Sequence, residues 1–455
     1  MSERHLIVGG NAAGMTAASR AKRLAPSLDV TVIEASQHIS YSICGLPYWL
    51  GGRVPRFEDL VYFTPESLQN ERGIAARLQT RALEILPSQR SVVVEDLRRG
   101  SKEVLKYDKL LIATGYKPTL LDVEGADADG IFTVSRIDDG AAIAEWLDSG
   151  RVNQAVLIGA GYVGLEMAEA LRERGLGVSV VEQSSGIFPA IDPDMALLLQ
   201  AELETQGVRV LTGRTVERIV TRSDGSVQGV ELAGSKHFLP ADIVLMDVGV
   251  EPRVDLVRGT DIQLGGSGAI AVSERMETSV SAIYAAGNCA ETVHLVTGRP
   301  IFDPLGTVAA KQGRIAGENM AGRVSHFRGA VGTTLVKVFG LTAARTGLAT
   351  ADAEREGFHV VNARVEGRFQ APYFGGQPSA IKVLADSASR RLLGAQIVGS
   401  ELASVRIDVV ATALAARMTV DEAAQLDLGY APPVGTLWSP VLTAMNVLQR
   451  RLDDR

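Results

Sequence analysis

The sequence predicts an α/β protein with two Rossmann-like parallel-sheet domains and a separate C-terminal α+β domain. Two segments, which start near Arg4 and Val156, share one order: an apolar run, a glycine-rich turn, a helix-forming stretch and a second apolar run that ends in an acid. The third observation is a change of character after about Val324, where β-branched runs are followed by an amphipathic stretch. Strand and helix signals that alternate in this way are typical of βαβ units.

The first βαβ unit lies at the N-terminus. Arg4–Val8 predicts a buried parallel strand, Met15–Leu24 predicts a helix, and Val30–Glu34 predicts a second strand whose acid follows Gly9 by 25 residues. Glycines in such a turn let the backbone approach a pyrophosphate, and the acid binds ribose hydroxyls. The middle glycine of the usual pattern is replaced by Asn11. The predicted dinucleotide contacts are Gly9, Asn11, Ala12, Ala13, Gly14 and Glu34.

The second βαβ unit carries all three glycines of the pattern. Its first strand ends at Gly159, and Val178–Glu182 ends in an acid 23 residues later. A carboxylate at Glu182 accepts hydrogen bonds from a 2′-hydroxyl and repels a 2′-phosphate, which favours NADH over NADPH unless a nearby Arg or Lys reverses the preference. Glu166 either helps to position the nicotinamide or is a more distant acid. The predicted contacts are Gly159, Gly161, Tyr162, Val163, Gly164, Glu166 and Glu182.

Two dinucleotide-binding units in one chain predict two bound dinucleotides. Hydride transfer between a nicotinamide and a flavin is the obvious use of such a pair. We therefore expect FAD as a cofactor and NADH or NADPH as a co-substrate, and we predict no metal site.

A single cysteine, Cys44, follows the first unit. It lies within Ser42–Tyr48, and the only other cysteine of the chain, Cys289, is far away in sequence. With no second cysteine nearby, Cys44 can act only as a lone thiol beside an electron donor. We expect a nearby helix N-terminus and the flavin to lower its pKa, whereas Cys289 is expected to be structural.

Further strands and helices divide the chain into three predicted domains. They are residues 1–118 with 273–323, residues 119–272, and residues 324–455. The predicted elements of these regions are the strands Leu110–Ala113, Ile243–Gly249, Ala282–Asn288, Thr334–Val338 and Ala380–Leu384, and the helices Val308–Ala321 and Ser404–Arg417.

Composition excludes several classes of protein. The chain has 455 residues, too many for one core, with 46% hydrophobic and 22% charged residues, as expected of a soluble globular protein. A net charge of −7 argues against general binding of nucleic acid or anionic membranes. No apolar run reaches the length of a membrane helix, and no signal peptide is evident. Two unpaired cysteines predict a cytoplasmic protein.

With these motifs in place, the chain resembles the flavin- and pyridine-nucleotide-dependent disulfide oxidoreductases of glutathione-reductase type. The resemblance covers nearly the whole chain and the order of its motifs. It implies that the first domain binds FAD, that the second binds NAD(P)H and that the third forms a homodimer. Further nucleotide contacts implied by the resemblance are Ala82, Ala113, Thr114, Gly115, Gly249, Gly287, Asn288, Leu305, Gly306 and Thr307.

Within that family, Ser42–Tyr48 is similar to the single-cysteine branch, which contains coenzyme A (CoA) disulfide reductases, NADH oxidases, NADH peroxidases and persulfide reductases. The first glycine turn has no His, which disfavours a peroxidase. Tyr430, in Tyr430–Pro433, and Tyr373 resemble a pair of tyrosines that the partner subunit offers to the cysteine. The resemblance also implies that CoA can be bound to Cys44. The substrate contacts that it implies are Arg20, Lys22, Arg23, Ser40 and Ser42.

Three functions stay open at this point. The first is a reductase of a small disulfide or persulfide of CoA type, and the second is an NADH oxidase that reduces dioxygen. The third is a flavoprotein that passes electrons to a protein partner or senses redox state, with Cys44 idle. Ser439 and Trp438 stand where CoA disulfide reductases have a different sequence, so the sequence leaves the electron acceptor undecided.

Overall fold

The structure is a computed structural model that describes residues 2–234 and 238–454. The first segment alternates strands with three helices, and its last strand leads into the second domain. Its elements are β1 (Arg4–Val8), α1 (Ala12–Leu24), β2 (Asp29–Ile33), β3 (Ile39–Tyr41), α2 (Leu46–Leu50), β4 (Val61–Phe63), α3 (Pro65–Arg72), β5 (Ile74–Arg77), β6 (Thr80–Leu86), β7 (Ser91–Asp96), β8 (Ser101–Lys106), β9 (Lys109–Ile112) and β10 (Tyr116–Pro118).

The second segment repeats the same plan, and the chain then returns to the first sheet. The elements of the second segment are β11 (Ile131–Phe132), α4 (Ile137–Asp148), β12 (Gln154–Ile158), α5 (Tyr162–Glu173), β13 (Gly177–Val181), α6 (Pro193–Thr205), β14 (Val208–Leu211), β15 (Val216–Thr221), β16 (Val227–Leu232), β17 (Phe238–Pro240), β18 (Ile243–Met246) and β19 (Val250–Pro252). The returning elements are β20 (Ile283–Ala285), β21 (Thr292–Val293), β22 (Pro300–Ile301) and α7 (Gly306–Met320).

The C-terminal segment contains long antiparallel strands followed by helices. Its elements are β23 (Thr334–Val338), β24 (Leu341–Gly347), α8 (Thr350–Arg355), β25 (Val360–Arg368), β26 (Pro378–Asp386), β27 (Leu392–Gly399), α9 (Glu401–Ser404), α10 (Ile407–Ala415), α11 (Val420–Ala423) and α12 (Pro440–Asp453).

Two parallel sheets of five strands form the nucleotide-binding cores. The first has the order β20-β9-β1-β2-β5 and the second has the order β11-β18-β12-β13-β14. Their central strands are almost wholly buried and apolar, which is the pattern of a sheet covered on both faces. An antiparallel sheet of three strands accompanies each core, β6-β7-β8 in the first and β15-β16-β17 in the second. The predicted α/β class is thereby confirmed.

The helices α1 and α7 pack together at very short range over the first sheet. A Cβ atom added to Gly313 would stand 2.2 Å from the carbonyl oxygen of Ala13, and one added to Gly317 would stand 2.4 Å from the carbonyl oxygen of Ala17. The two glycines therefore set the distance between the helices.

The C-terminal domain is an antiparallel sheet of order β23-β24-β27-β26-β25, and its core includes residues of α10 and α12. The predicted bounds of the helix Ser404–Arg417 are wrong. In the structure, α9 already ends at Ser404, and α10 begins at Ile407 and ends at Ala415. The Ser404 hydroxyl donates to the Glu401 carbonyl oxygen, which competes with helical backbone bonds, and Arg417 has a φ of 58°, which no helix can continue. The three domain ranges given above stay predictions.

Charged side chains join the second nucleotide-binding domain to the C-terminal domain. The Lys382 ammonium contacts Asp192 and Asp194, each at 2.7 Å, and the Asp192 carboxylate also accepts hydrogen bonds from Thr350. Most of these groups are buried, and each is satisfied by another, which is the condition under which buried charges are tolerated. No helix of the described residues is long and apolar enough to cross a lipid bilayer.

We predict that Gly313→Ala destabilises the protein, because the new methyl group would overlap the backbone of α1. The free energy of unfolding should fall by about 2 kcal/mol, the usual cost of overpacking, and calorimetry should show a lower melting temperature. Gly266→Ala is the matched control, because Gly266 has no atom near the position of an added Cβ. An unchanged melting temperature for Gly313→Ala would contradict the described contact between α1 and α7.

Candidate active site

The first glycine turn is built by backbone atoms that nearly touch. A Cβ atom on Gly9 would lie 2.1 Å from the Ala113 carbonyl oxygen, and one on Gly14 would lie 1.9 Å from the Gly9 carbonyl oxygen. Glu34 follows β2, and its carboxylate accepts hydrogen bonds from the backbone N–H groups of Gly10 at 2.7 Å and Ser36 at 2.9 Å. These contacts fix the turn at the N-terminus of α1, which has Asn11 as its N-cap and Ala12 and Ala13 in its first turn.

Residues from three other parts of the chain surround this turn and fit the predicted FAD. The carbonyl oxygen Oδ1 of Asn288 is buried and has no hydrogen-bond partner among the described residues, so it is free for a ligand group. The backbone N–H of Gly287 is held by Gln312 at 2.8 Å, and the Thr114 hydroxyl donates to the Arg253 carbonyl oxygen at 2.7 Å.

The remaining predicted FAD contacts lie near the same end of the first sheet. The Ala113 N–H donates to the carbonyl oxygen of Val8 at 2.8 Å, and Gly115 accepts from the N–H of Arg253. Ala82 is part of a bulge in β6 and packs against the core that contains the ends of β1 and β2. Leu305 is the N-cap of α7, and Gly306 and Thr307 form its first turn.

The second glycine turn repeats the geometry of the first. A Cβ atom on Gly164 would lie 2.4 Å from the Gly159 carbonyl oxygen, and Gly161 is the N-cap of α5. The buried Glu182 carboxylate accepts from the N–H groups of Ala160 at 2.9 Å and Ser184 at 2.7 Å. Gly249 follows β18 with a φ of 116°.

The first two side chains of α5 face other parts of the molecule. The Tyr162 hydroxyl shares a hydrogen bond with Thr334 of the C-terminal domain, and Val163 packs on the hydrophobic core. The predicted contacts of Tyr162 and Val163 with the nucleotide would therefore involve mainly their backbones.

Cys44 lies immediately before α2, at the junction of the two nucleotide-binding domains. Its side chain reaches solvent, although protein atoms surround it on most sides. Burial raises the pKa of the Cys44 thiol, and the nearby Glu166 carboxylate raises it further. The expected lowering of this pKa by a helix N-terminus and the flavin together stays a prediction. The helix that begins at Leu46 has only five residues, and burial disfavours a thiolate.

Three side chains that the sequence analysis did not single out, those of Tyr48, Tyr116 and Asp247, interact with Cys44 or with Glu166. The Tyr48 hydroxyl donates to Glu166 at 3.4 Å. Burial raises the pKa of Glu166 to about 7, and burial raises the pKa of Tyr116 to about 12, with contributions from Cys44 and Asp247. Asp247, which follows β18, accepts the N–H of Gly164 at 2.8 Å. An acid directly after a strand of a parallel sheet was the available signal, because ligands bind at those strand ends.

A basic cavity of about 450 Å³ lies beside the first helix. It brings together two of the predicted substrate contacts on α1, Arg20 and Arg23, with Ser40. Arg72 and Arg314, which the sequence analysis did not predict, also line it. Glu318 binds both Arg20 and Arg314, and although burial opposes it, hydrogen bonds from Ser325, Arg20 and Arg314 lower the pKa of Glu318 to about 2.

Two predicted substrate contacts lie elsewhere. The Lys22 ammonium donates to the carbonyl oxygens of Pro26 and Leu28, both at 2.8 Å, so it is used to hold the end of α1. The Ser42 hydroxyl accepts the N–H of Gly45 at 3.1 Å, which caps the turn that carries Cys44. Neither residue lines the basic cavity.

Tyr373 and Tyr430 lie on neighbouring loops of the C-terminal domain. The loops are joined by a hydrogen bond of 3.1 Å from the Ala371 N–H to the Pro432 carbonyl oxygen. Tyr373 is 75% exposed and Tyr430 is 52% exposed. The structure therefore brings the two tyrosines to one exposed surface. Cys289, by contrast, is fully buried, and its thiol contacts the carbonyl oxygens of Ile112 and Ala286, as expected of a structural cysteine.

Two parallel-sheet domains, each with its own glycine turn, and a third, antiparallel domain define the class of two-nucleotide oxidoreductases. The chain belongs to the pyridine nucleotide-disulphide oxidoreductases. The profile of that family matches residues 3–312, and the profile of the family's dimerisation domain matches residues 333–439. Membership confirms the predicted class of enzyme and its cofactors, FAD and NAD(P)H.

The chain is similar over nearly its full length to proteins of known activity. It is 36% identical over 446 residues to the NAD(P)H sulfur oxidoreductase (CoA-dependent) of Pyrococcus abyssi, which covers 98% of both chains. It is 33% identical to an NADH oxidase of Methanocaldococcus jannaschii, over 99% of this chain and 100% of the relative. The solved NAD-dependent persulfide reductase of A. fulgidus is 38% identical, with a TM-score of 0.95, over 99% of this chain and 84% of that structure.

We predict that Glu166→Gln lowers the pKa of the Cys44 thiol, because it removes a nearby negative charge and keeps the side-chain size. In protein freed of small thiols, alkylation of Cys44 by iodoacetamide at pH 8 should become about three-fold faster. The difference should shrink below pH 7, where Glu166 is itself protonated. Glu145→Gln, on an exposed position of α4, is the control. Equal rates for wild type and Glu166→Gln would show that the carboxylate does not act on the thiol.

Proposed function

We propose that this chain is an NAD(P)H- and FAD-dependent reductase of small disulfides or persulfides of CoA type, with Cys44 as its only redox-active thiol. The observation that carries the proposal is the position of Cys44. Its side chain reaches solvent, the Glu166 carboxylate of the second nucleotide-binding domain acts on its pKa, and the only other cysteine of the sequence, Cys289, is buried elsewhere. Relatives named as CoA-dependent sulfur oxidoreductase and persulfide reductase support the choice of acceptor.

FAD would be held by the turn from Gly9 to Gly14, by Glu34 and by Asn288. When bound, it supplies two-electron chemistry between a nicotinamide and a sulfur atom. The nicotinamide nucleotide would bind at Gly159–Gly164, with the Glu182 carboxylate at the ribose. NADH remains the favoured form, because a 2′-phosphate would meet a buried carboxylate.

Sulfur chemistry would take place at Cys44. In the resting state we expect a mixed disulfide between Cys44 and a small thiol such as CoA. Its two-electron reduction breaks the S–S bond, releases the small thiol with one proton, and leaves Cys44 as a thiolate that attacks the next disulfide. Tyr430 and Tyr373 of a second copy are proposed as proton donors, since a phenol keeps its proton near neutral pH.

The basic cavity suits the phosphates of CoA. Four arginines line a space large enough for a nucleotide: Arg20, Arg23, Arg72 and Arg314. A guanidinium group can donate two parallel hydrogen bonds to the oxygens of one phosphate. Glu318 neutralises part of the charge of Arg20 and Arg314, which leaves Arg23 and Arg72 as the cations without a carboxylate partner in the described ion pairs.

The exposed surface of the C-terminal domain and the match to the family's dimerisation domain support a homodimer. Phe374, Leu437 and Trp438 are exposed beside the two tyrosines, and Trp438 is 65% exposed. An apolar surface of this kind marks an interface, and a second copy of the chain is the proposed partner. A cytoplasmic location stays a prediction from the cysteine content.

An NADH oxidase is the second candidate, and the relative from Methanocaldococcus jannaschii favours it. In that case Cys44 would cycle through a sulfenic acid while dioxygen is reduced. If Trp438, which is exposed, narrows the substrate channel, it would favour a small oxidant such as dioxygen.

Our main test is an anaerobic titration with NADH followed by CoA disulfide. The wild type should take up two electron pairs per subunit, one for FAD and one for Cys44, and Cys44→Ser should take up one. Turnover of CoA disulfide should fall by about 100-fold or more in Cys44→Ser, because the nucleophile is lost. Cys289→Ser is the matched control. In a separate assay the reduced protein is offered oxygen; rapid reduction of oxygen without turnover of CoA disulfide would favour the oxidase. A single electron pair in both proteins would favour an electron carrier.

We also predict that Arg23→Gln and Arg72→Gln each raise the KM for CoA disulfide by about ten-fold, because each removes a charged hydrogen bond to phosphate. The KM for pantethine, which lacks the phosphates of the nucleotide part, should not change. Arg98→Gln, on an exposed turn, is the control. If the KM values for both disulfides stay the same, the cavity does not bind the CoA phosphates.

A further inference from the structure

A carboxyl group of the protein itself occupies part of the second glycine turn. The backbone N–H of Gly164, in the first turn of α5, donates to Oδ2 of Asp247 over 2.8 Å. The same oxygen would lie 2.8 Å from a Cβ atom on Gly161, so Asp247 lies directly against the turn. The Asp247 backbone is equally close, because its carbonyl oxygen would lie 2.0 Å from a Cβ atom on Gly159.

This arrangement opposes what such a turn normally provides. A glycine turn before a helix attracts phosphate through its free N–H groups and the positive end of the helix dipole. Here one N–H group is already bonded to Asp247. In its ionised form that side chain adds a negative charge at the position that an anionic nucleotide must approach.

The other titratable groups around Asp247 do not neutralise it. They are Glu182 at the end of β13, Glu166 on α5 and Tyr116 on β10, and none of the three is a cation. Burial raises the pKa of Asp247 to about 6, and the charge of Glu182 adds to the shift. Near neutral pH, the protein therefore contains both the neutral and the ionised forms of Asp247.

We propose that Asp247 determines the affinity for the nicotinamide nucleotide. The Asp247 carboxylate takes up a proton when the nucleotide phosphates enter the turn. The inference rests on the proposed function in one respect, the binding of NAD(H) at Gly159–Gly164. The neutral carboxyl group can still accept the Gly164 N–H through its carbonyl oxygen, so protonation removes the charge and keeps the turn.

The direction of the pH effect follows from linkage. A bound anion favours the neutral form of Asp247, and by reciprocity the neutral form favours the bound anion. Asp247 is neutral below about pH 6 and ionised above it. Affinity for the nucleotide should therefore fall as the pH rises from about 5.5 to 8, and binding near pH 7 should consume protons.

Calorimetric titration of the FAD-loaded protein with NAD⁺ tests this directly, because NAD⁺ binds without reducing the enzyme. Repeating the titration in buffers with different ionisation enthalpies counts the protons taken up. We expect about ten-fold weaker binding at pH 8 than at pH 5.5, the effect of one unit charge at close range. In Asp247→Asn the affinity should be about ten-fold higher than wild type at pH 8, independent of pH and without proton uptake.

The controls separate the possible failures. Asp127→Asn, in an exposed loop, should behave as wild type, and Asp247→Ser serves as a second variant if Asp247→Asn does not fold. NAD⁺ that fails to bind at any pH would contradict the proposed function itself. NAD⁺ that binds with an affinity independent of pH, or with a pH dependence that survives in both Asp247 variants, would overturn the inference about Asp247. Loss of the pH dependence in Glu166→Gln but not in Asp247→Asn would assign the proton to Glu166.

Discussion

Close contact between backbone atoms inside the two glycine turns is the constraint on which the rest of the structure depends. Gly14 approaches the Gly9 carbonyl oxygen, and Gly164 approaches that of Gly159, at distances that no side chain would permit. Each contact places the N-terminus of a helix at the carboxyl end of a parallel sheet. Both cores are arranged to preserve that geometry, as the packing of Gly313 on Ala13 illustrates.

The second consequence is electrostatic. Protein atoms enclose most of Cys44, Glu166 and Asp247, and burial penalises a charge on each of them. All three have raised pKa values for this reason; in addition, the charge of Glu166 raises the pKa of Cys44, and the charge of Asp247 raises that of Glu166. Nucleotide binding, proton movement and thiol reactivity are therefore linked in the proposed mechanism, since a charge gained by one group changes the cost of charge on the others.

Contacts between domains fix the relative positions of these groups. Glu169, one turn after Glu166 on α5, binds Arg53 beyond α2, Lys337 of β23 and the N–H of Phe339. One carboxylate thus connects the segment that carries Cys44, the second nucleotide-binding domain and the C-terminal domain. Such a junction explains how a chain with three domains can keep a thiol and a carboxylate at a fixed separation.

Much of the fold was predictable because glycine turns, buried apolar runs and terminal acids are local patterns with one structural solution. The two glycine turns, Gly9 to Gly14 and Gly159 to Gly164, were recognised in this way, whereas the roles predicted for their residues and for Cys44 stay predictions. Three features were not predicted: the bounds of α9 and α10, the absence of Lys22 from the lining of the basic cavity, and the presence of Arg72 and Arg314 in it. Each depends on side-chain contacts that a local sequence pattern does not show. The raised pKa of Cys44 and the position of Asp247 were decided only when the two sheets came together, since desolvation and charge coupling act through space and leave no local mark in a sequence.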